Sequence, residues 1–260
     1  MAIIQGLEWT FNTVAAEYDK WSPTYIQPLY DDLLAYQPIN PASHVLEIGI
    51  GTGQATAPIL KTGCTLTAVE LGDQLAELSR QKFAEYQSFS VVNTAFQNYE
   101  CAENTFNLIY SARAFHWIPE DIGYPKVYAM LKSGGAFVRF AGHPNYSKEQ
   151  GELNAEIQKV YEEYMPYSKP SPQFTEEDAK RKSDIAGKYG FVDISFKLYF
   201  RTRTYNSDEY ASLISVYSNH IVLEEGKKAC FYNGIRSAIR KHGGTITLMD
   251  TIELNLARKP

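Results

Sequence analysis

The chain has 260 residues, 44% of them hydrophobic and 21% charged, and a net charge of −5 at pH 7. Such a composition excludes a disordered or fibrous chain and allows one large domain with its own core. The acidic balance argues against a nucleic-acid binder that works by neutralising phosphates. Cys64, Cys101 and Cys230 are widely spaced, odd in number and form no CxxC pair, so reduced thiols and no metal site are expected. No apolar run reaches about 18 residues, and the start lacks a basic-then-apolar leader. Neither a membrane span nor a secretory signal is expected, and the cytoplasm is the default location. The 19 tyrosines suit core packing or an aromatic-lined pocket for a small organic molecule.

In chain order, residues 1–43 are aromatic and punctuated by proline, with short helical pieces over 12–19 and 26–36. Strand and helix patterns then alternate from 44 to 140. His44–Ile48 reads as the first strand, 54–62 as a helix closed by Gly63, and Thr65–Val69 as the second strand. Asp73 is placed to cap a helix through Ala84. Phe89–Val92 and Phe106–Ser111 follow as strands. Pro119-Glu120-Asp121 opens a helix ending near Lys132, and Ala136–Phe140 is the fifth strand. Beyond it, 147–165, 175–188, 207–219 and 225–241 read as helices, with a proline-rich break at Pro166–Pro172. Phe191–Tyr199 and Ile246–Leu256 read as strands. In the 225–241 helix, Phe231, Ile235, Ala238 and Ile239 share one face.

Strands separated by helices predict a parallel sheet covered on both faces, with ligands beyond the carboxyl ends of the strands. Glu47, Glu70, Ala95 and Ser111 lie at or just past such ends. The run Val45-Leu46-Glu47-Ile48-Gly49-Ile50-Gly51-Thr52-Gly53 is a buried strand that ends on a carboxylate and turns through three alternate glycines. A dinucleotide fingerprint needs G-x-G-x-x-G, and the sixth position counted from Gly49 is Gln54. Glu47 is also a poor neighbour for a pyrophosphate. It suits a ligand with positive groups, such as the ammonium and sulfonium of S-adenosylmethionine. Glu70, ending the second strand, can accept hydrogen bonds from both hydroxyls of a ribose, a placement that dinucleotide folds share.

The E-x-G-x-G-x-G spacing resembles the first motif of class I S-adenosylmethionine-dependent methyltransferases. The resemblance implies a Rossmann-like, seven-stranded, mostly parallel sheet with an antiparallel last strand and a helical cap. It implies S-adenosylmethionine as cofactor, held by Glu47, Gly49, Gly51, Gly53, Glu70, Leu71, Ala95, Phe96 and Ser111. Thr94 stands where the family often has an acid before Ala95, and Asn107 where it usually has Asp. Leu131-Lys132-Ser133-Gly134-Gly135 is another family-like turn. The segment from Phe11 to Tyr25 looks like the leading segment of the small-molecule branch that includes trans-aconitate methyltransferase-like proteins. Tyr18 matches a tyrosine that folds over the cofactor there. Ser22 replaces an arginine, for which Arg113 is a candidate substitute.

The expected organisation is a single domain over 1–260. Residues 1–43 would lie over the cofactor, 44–140 would form the cofactor-binding core, and 147–188 and 205–242 would be cap insertions. The expected reaction is methyl transfer to a small-molecule acceptor near Trp21, Arg113 and Trp117. His116 is the acid–base candidate by its ordinary pKa; packing against Trp117 is the alternative. Tyr161, Tyr164 and Tyr167 line a pocket mouth or pack a helix on the sheet. The departures at Ser22, Thr94 and Asn107 leave open a cofactor-binding module without turnover. A protein or RNA methyltransferase also stays open, whereas Glu47 and Gln54 disfavour a dinucleotide oxidoreductase.

Overall fold

The computed structural model describes residues 6–168 and 172–260. A 3-10 helix, Leu7–Val14, leads into α1 (Ala15–Trp21) and α2 (Gln27–Tyr36). Then come β1 (His44–Ile48), α3 (Ala57–Leu60), β2 (Thr65–Glu70), α4 (Asp73–Lys82), β3 (Phe89–Asn93) and β4 (Phe106–Ala112). α5 (Glu120–Met130), β5 (Leu131–Tyr146), α6 (Gly151–Tyr164), α7 (Glu176–Asp184) and β6 (Val192–Asn206) follow. The chain ends with α8 (Ser207–Ser215), α9 (Ser218–Ile221), α10 (Glu225–Lys241) and β7 (Thr245–Arg258). The expected break at Pro166–Pro172 lies partly outside the described residues.

The seven strands form one sheet in the order β3-β2-β1-β4-β5-β7-β6, with β7 antiparallel to the other six. The register aligns the ends that carry polar residues: Glu47 lies beside Ala68 and Tyr110, Glu70 beside Asn93, and Ser111 beside Arg139.

The contacts of the chain cluster into two compact units. One comprises Pro23–Ala141, Thr175–Tyr199 and Glu253–Pro260. Its core includes Leu46 and Ile48 of β1, Ile109 of β4, Phe137 of β5, and Phe115, Tyr124 and Phe191. The other comprises the described residues within 6–22, 142–174 and 200–252. There Leu153 and Ile157 of α6 pack with Leu213 of α8, the Phe231, Ile235 and Ile239 face of α10, and Ile246. α6 belongs to the second, helix-rich unit, and α7 belongs to the first, sheet-bearing one.

Local physics accounts for other departures from the sequence reading. The helix expected over 54–62 shrinks to Ala57–Leu60, because Gly51 and Gly53 take positive φ (60° and 81°) and residues 51–56 turn instead. Gly72, not Asp73, is the N-cap of α4. Asp73 enters the first turn and Arg80 and Lys82 the last, which is the order the helix dipole favours. The expected 207–219 helix breaks at Val216 and Tyr217 into α8 and α9. α6 ends at Tyr164, so Tyr167 is not on it and is 97% exposed. Tyr161 instead bonds His220 Nε2 at 2.9 Å and packs edge-on to Phe231.

Candidate active site

The site builds from the turn after β1. Gly49, Gly51 and Gly53 all hold positive φ (70°, 60° and 81°). Two of them admit no side chain. A Cβ on Gly49 would lie 2.3 Å from the Ala114 Cβ, and one on Gly53 would lie 2.3 Å from the Phe83 ring. The turn is tied down from α4, where Ser79 Oγ donates to the Gly51 carbonyl (2.7 Å) and Lys82 Nζ to the Thr52 carbonyl (3.0 Å). Gln54, which breaks the dinucleotide fingerprint, donates to Thr52 Oγ1 at 2.6 Å.

Two carboxylates converge here. Glu47 is 1% exposed, and its Oε2 accepts from Thr56 Oγ1 and from the Tyr110 hydroxyl, both at 2.7 Å. Burial, aided by the nearby Glu70 charge, pushes its carboxyl up to about 7, against the pull of those two donors. Glu70 is 6% exposed and accepts the backbone N–H of Gly51 on Oε2 (2.8 Å) and of Gly72 on Oε1 (2.9 Å). Burial raises its pKa as well. Among the described residues, neither acid forms an ion pair with a side chain.

The neighbouring strand ends hold the rest. Asn93 Nδ2 donates to the carbonyls of Glu70 (2.9 Å) and Leu71 (3.0 Å), and Thr94 N–H donates to Glu70 O at 2.9 Å. Ala95 caps a 3-10 turn whose first residue, Phe96, is buried in the core of the sheet-bearing unit. Ser111 Oγ is committed to the Ile48 carbonyl at 2.8 Å. Past β4, Arg113 holds φ 56° and its N–H donates to the Phe140 carbonyl at 3.1 Å. A non-glycine residue in that region marks a turn worth attention. It sets Ala114 against Gly49 and buries Phe115 between Tyr124 and Phe137. His116 is exposed, and its ring lies 4.9 Å from the half-buried Trp117 ring.

A model of the methyltransferase domain family matches residues 45–135. An uncharacterized methyltransferase of Bacillus thuringiensis is 27% identical over 137 residues, covering 46% of this chain and 63% of that protein. Over that stretch the chain is similar to class I S-adenosylmethionine-dependent methyltransferases. Solved structures agree at the level of fold. A proposed type II methyltransferase of Anaeromyxobacter dehalogenans superposes with TM-score 0.63 at 14% identity, over 91% of this chain and 97% of that one. Haemonchus contortus phosphoethanolamine N-methyltransferase 2, in complex with S-adenosyl-L-methionine, gives 0.56 at 16%, over 96% and 57%.

The donor set fits the methyltransferase cofactor. Glu47 and Glu70 are buried acids with no cation paired to them among the described residues, and the Glu70 oxygens have lone-pair capacity beyond their backbone N–H donors. A ligand with an ammonium group and a ribose diol would satisfy both. The structure brings Glu47, the three glycines, Glu70, Leu71, Ala95, Ser111 and Arg113 to one end of the sheet-bearing unit. Phe96 turns into the core there. Tyr18 and Trp21 sit on α1 in the helix-rich unit, where Phe11 packs edge-on to Tyr18 at 5.4 Å.

Thr56, Ser79, Lys82, Asn93 and Tyr110 were not picked out from sequence. Ser79 falls on the buried face of α4 with Leu75 and Ala76. Tyr110 is a phenol inside an apolar strand, where its hydroxyl needs a partner. Those two signals were available. Asn107, which departs from the family acid, accepts from His44 N–H (3.0 Å) and Lys132 Nζ (3.1 Å), joining the starts of β1, β4 and β5.

Proposed function

We propose that the protein transfers a methyl group from S-adenosylmethionine to a small-molecule acceptor. The observation that carries this reading is the pair of buried, cation-free carboxylates at the ends of β1 and β2, beside a glycine turn. Bound S-adenosylmethionine supplies an electrophilic methyl group on its sulfonium. Glu47 offers a countercharge to the ammonium and Glu70 accepts from the ribose hydroxyls. Leu71 and Ala95 border the adenine, with Phe96 in the core behind them. The turn from Arg113 to Trp117 leaves the sheet where the acceptor would meet the methyl group, and Arg113 brings a positive charge to that turn. Alignment and desolvation supply much of the rate. His116 takes a proton only if the attacking atom carries one at neutral pH. The net charge of −5 favours a small acceptor over nucleic acid.

Calorimetric titration with S-adenosylmethionine and S-adenosylhomocysteine tests the reading. Both should bind wild-type protein, and Glu70→Ala should abolish or strongly weaken them. A wild-type protein that ignores both ligands sinks the proposal. The departures at Thr94 and Asn107 do not favour a module without turnover, because Asn107 has a structural task away from the carboxyl edge.

A further inference from the structure

Glu47 raises a question that the family motif does not answer: what keeps a fully buried carboxylate charged. Both of its donors converge on one oxygen. Thr56 Oγ1, from the turn before α3, and the Tyr110 hydroxyl, from β4, reach Oε2 at 2.7 Å. Among the described residues no donor reaches Oε1. Oε1 is thus the atom that carries the proton when Glu47 is neutral and that meets a cation when it is ionised. The groups facing this pocket are acids and phenols. Glu70 approaches from β2, Tyr110 from β4 and Tyr30 from α2, with Cys64 behind Tyr110. Among the described residues, no lysine, arginine or histidine pairs with Glu47.

Tyr110 is built to stay in place. Its ring is fully buried and stacks on Phe140 with centroids 6.1 Å apart and planes 7° from parallel. It lies beside Glu47 in the β1–β4 register. Its donor therefore meets Oε2 at little entropic cost.

We propose that Tyr110 is a positioning residue: its hydroxyl fixes the Glu47 carboxylate and holds it ionised, with Oε1 turned to the ammonium of the cofactor. The inference rests on the cofactor reading above. It has a direct consequence in pH. Burial holds the Glu47 carboxyl near 7, so affinity for an ammonium-bearing ligand falls as pH drops through that range. Losing one hydrogen bond to the charged form moves the midpoint upward by about one pH unit.

The test measures S-adenosylhomocysteine binding by calorimetry from pH 6 to 8.5 for wild type and Tyr110→Phe. A control ligand is 5′-methylthioadenosine, which keeps the nucleoside and lacks the amino-acid group. Tyr110→Phe should weaken S-adenosylhomocysteine about 5-fold at pH 7 and no more than about 1.5-fold at pH 8.5. Binding of 5′-methylthioadenosine should change little at either pH. Infrared difference spectra of the ligand-free protein, with Glu47→Gln to assign the band, should show the protonated Glu47 carbonyl persisting to higher pH in the variant. An equal loss for both ligands at every pH, or an unmoved carbonyl titration, overturns the positioning role. Failure of the wild type to bind S-adenosylhomocysteine at any pH overturns the cofactor reading and this inference with it.

Discussion

Single residues show where the fold has no latitude. Gly49 is one: any side chain meets Ala114 at 2.3 Å, and φ is 70°. A left-handed non-glycine residue costs about 1–2 kcal/mol and overpacking about 1–3 kcal/mol more. Gly49→Ala should lower unfolding free energy by about 2–5 kcal/mol in urea; an unchanged midpoint would show that Ala114 yields freely. In the helix-rich unit the sensitive residue is Asp250, 2% exposed. Arg201 Nε (3.0 Å) and Nη2 (2.9 Å) and Arg203 Nε (2.6 Å) reach its Oδ2, and Arg203 Nη2 reaches Oδ1 at 2.8 Å. Asp250→Asn leaves two poorly compensated guanidiniums, a change that costs about 3–5 kcal/mol where such pairs are buried. Thermal melts should show a loss far larger than any surface Asp→Asn change produces.

At the scale of elements, the same two energy classes recur: helix ends are worth little and helix faces much. α8 opens on a capping box in which Asn206 Oδ1 accepts the N–H of Asp208 (2.9 Å) and Glu209 (3.0 Å), and Glu209 returns a bond to Asn206 N–H. Asn206→Ala should cost about 1 kcal/mol. Ile235, fully buried on α10, should cost about 2–5 kcal/mol as Ala. Chemical denaturation of the two variants should keep that ranking, and a cap loss as large as the core loss would contradict it. The contrast also explains which elements were legible in sequence. α10 matches the sequence reading to the residue because its apolar face, Phe231, Ile235, Ala238 and Ile239, keeps helical spacing and Gly243-Gly244 follows it. β1 and β2 were read to within a residue because buried parallel strands are short apolar runs. α3 was overestimated, since helical composition after Gly53 says nothing about a loop still turning on positive φ. α7 was grouped with the cap because its assignment depends on side chains distant in sequence, such as Lys182 to Glu253 at 2.5 Å. The site divides in the same way. Glu47, Glu70 and the glycines sit within one local motif, while Tyr110 reaches Glu47 across 63 positions.

The whole molecule carries two opposed pH liabilities, one in each unit. Glu47, in the sheet-bearing unit, is raised from 4.5 to about 7 by burial. Between those values the unfolded chain has already released the proton that the folded one keeps, so stability falls as pH rises through the window. A shift of that size corresponds to about 3 kcal/mol, fully lost above the folded value. His220, in the helix-rich unit, is pushed by burial from 6.5 down to about 3. There the unfolded chain binds the proton first, so stability falls as pH drops below 6.5. The ligand-free protein should therefore be most stable in mildly acid solution, between the Glu47 loss above and the His220 loss below. Between pH 4.5 and 6.5 the two slopes oppose each other, so Glu47→Gln should remove the loss above pH 6.5 and leave stability rising with pH up to about 6.5. On the proposed reading, the ammonium of the cofactor would supply a countercharge and partly cancel the Glu47 penalty. Thermal shifts produced by saturating S-adenosylhomocysteine should accordingly be larger at pH 8 than at pH 5.5, and the difference should shrink in Glu47→Gln. A ligand-induced shift that is the same at both values would mean that Glu47 does not face the charge of the cofactor.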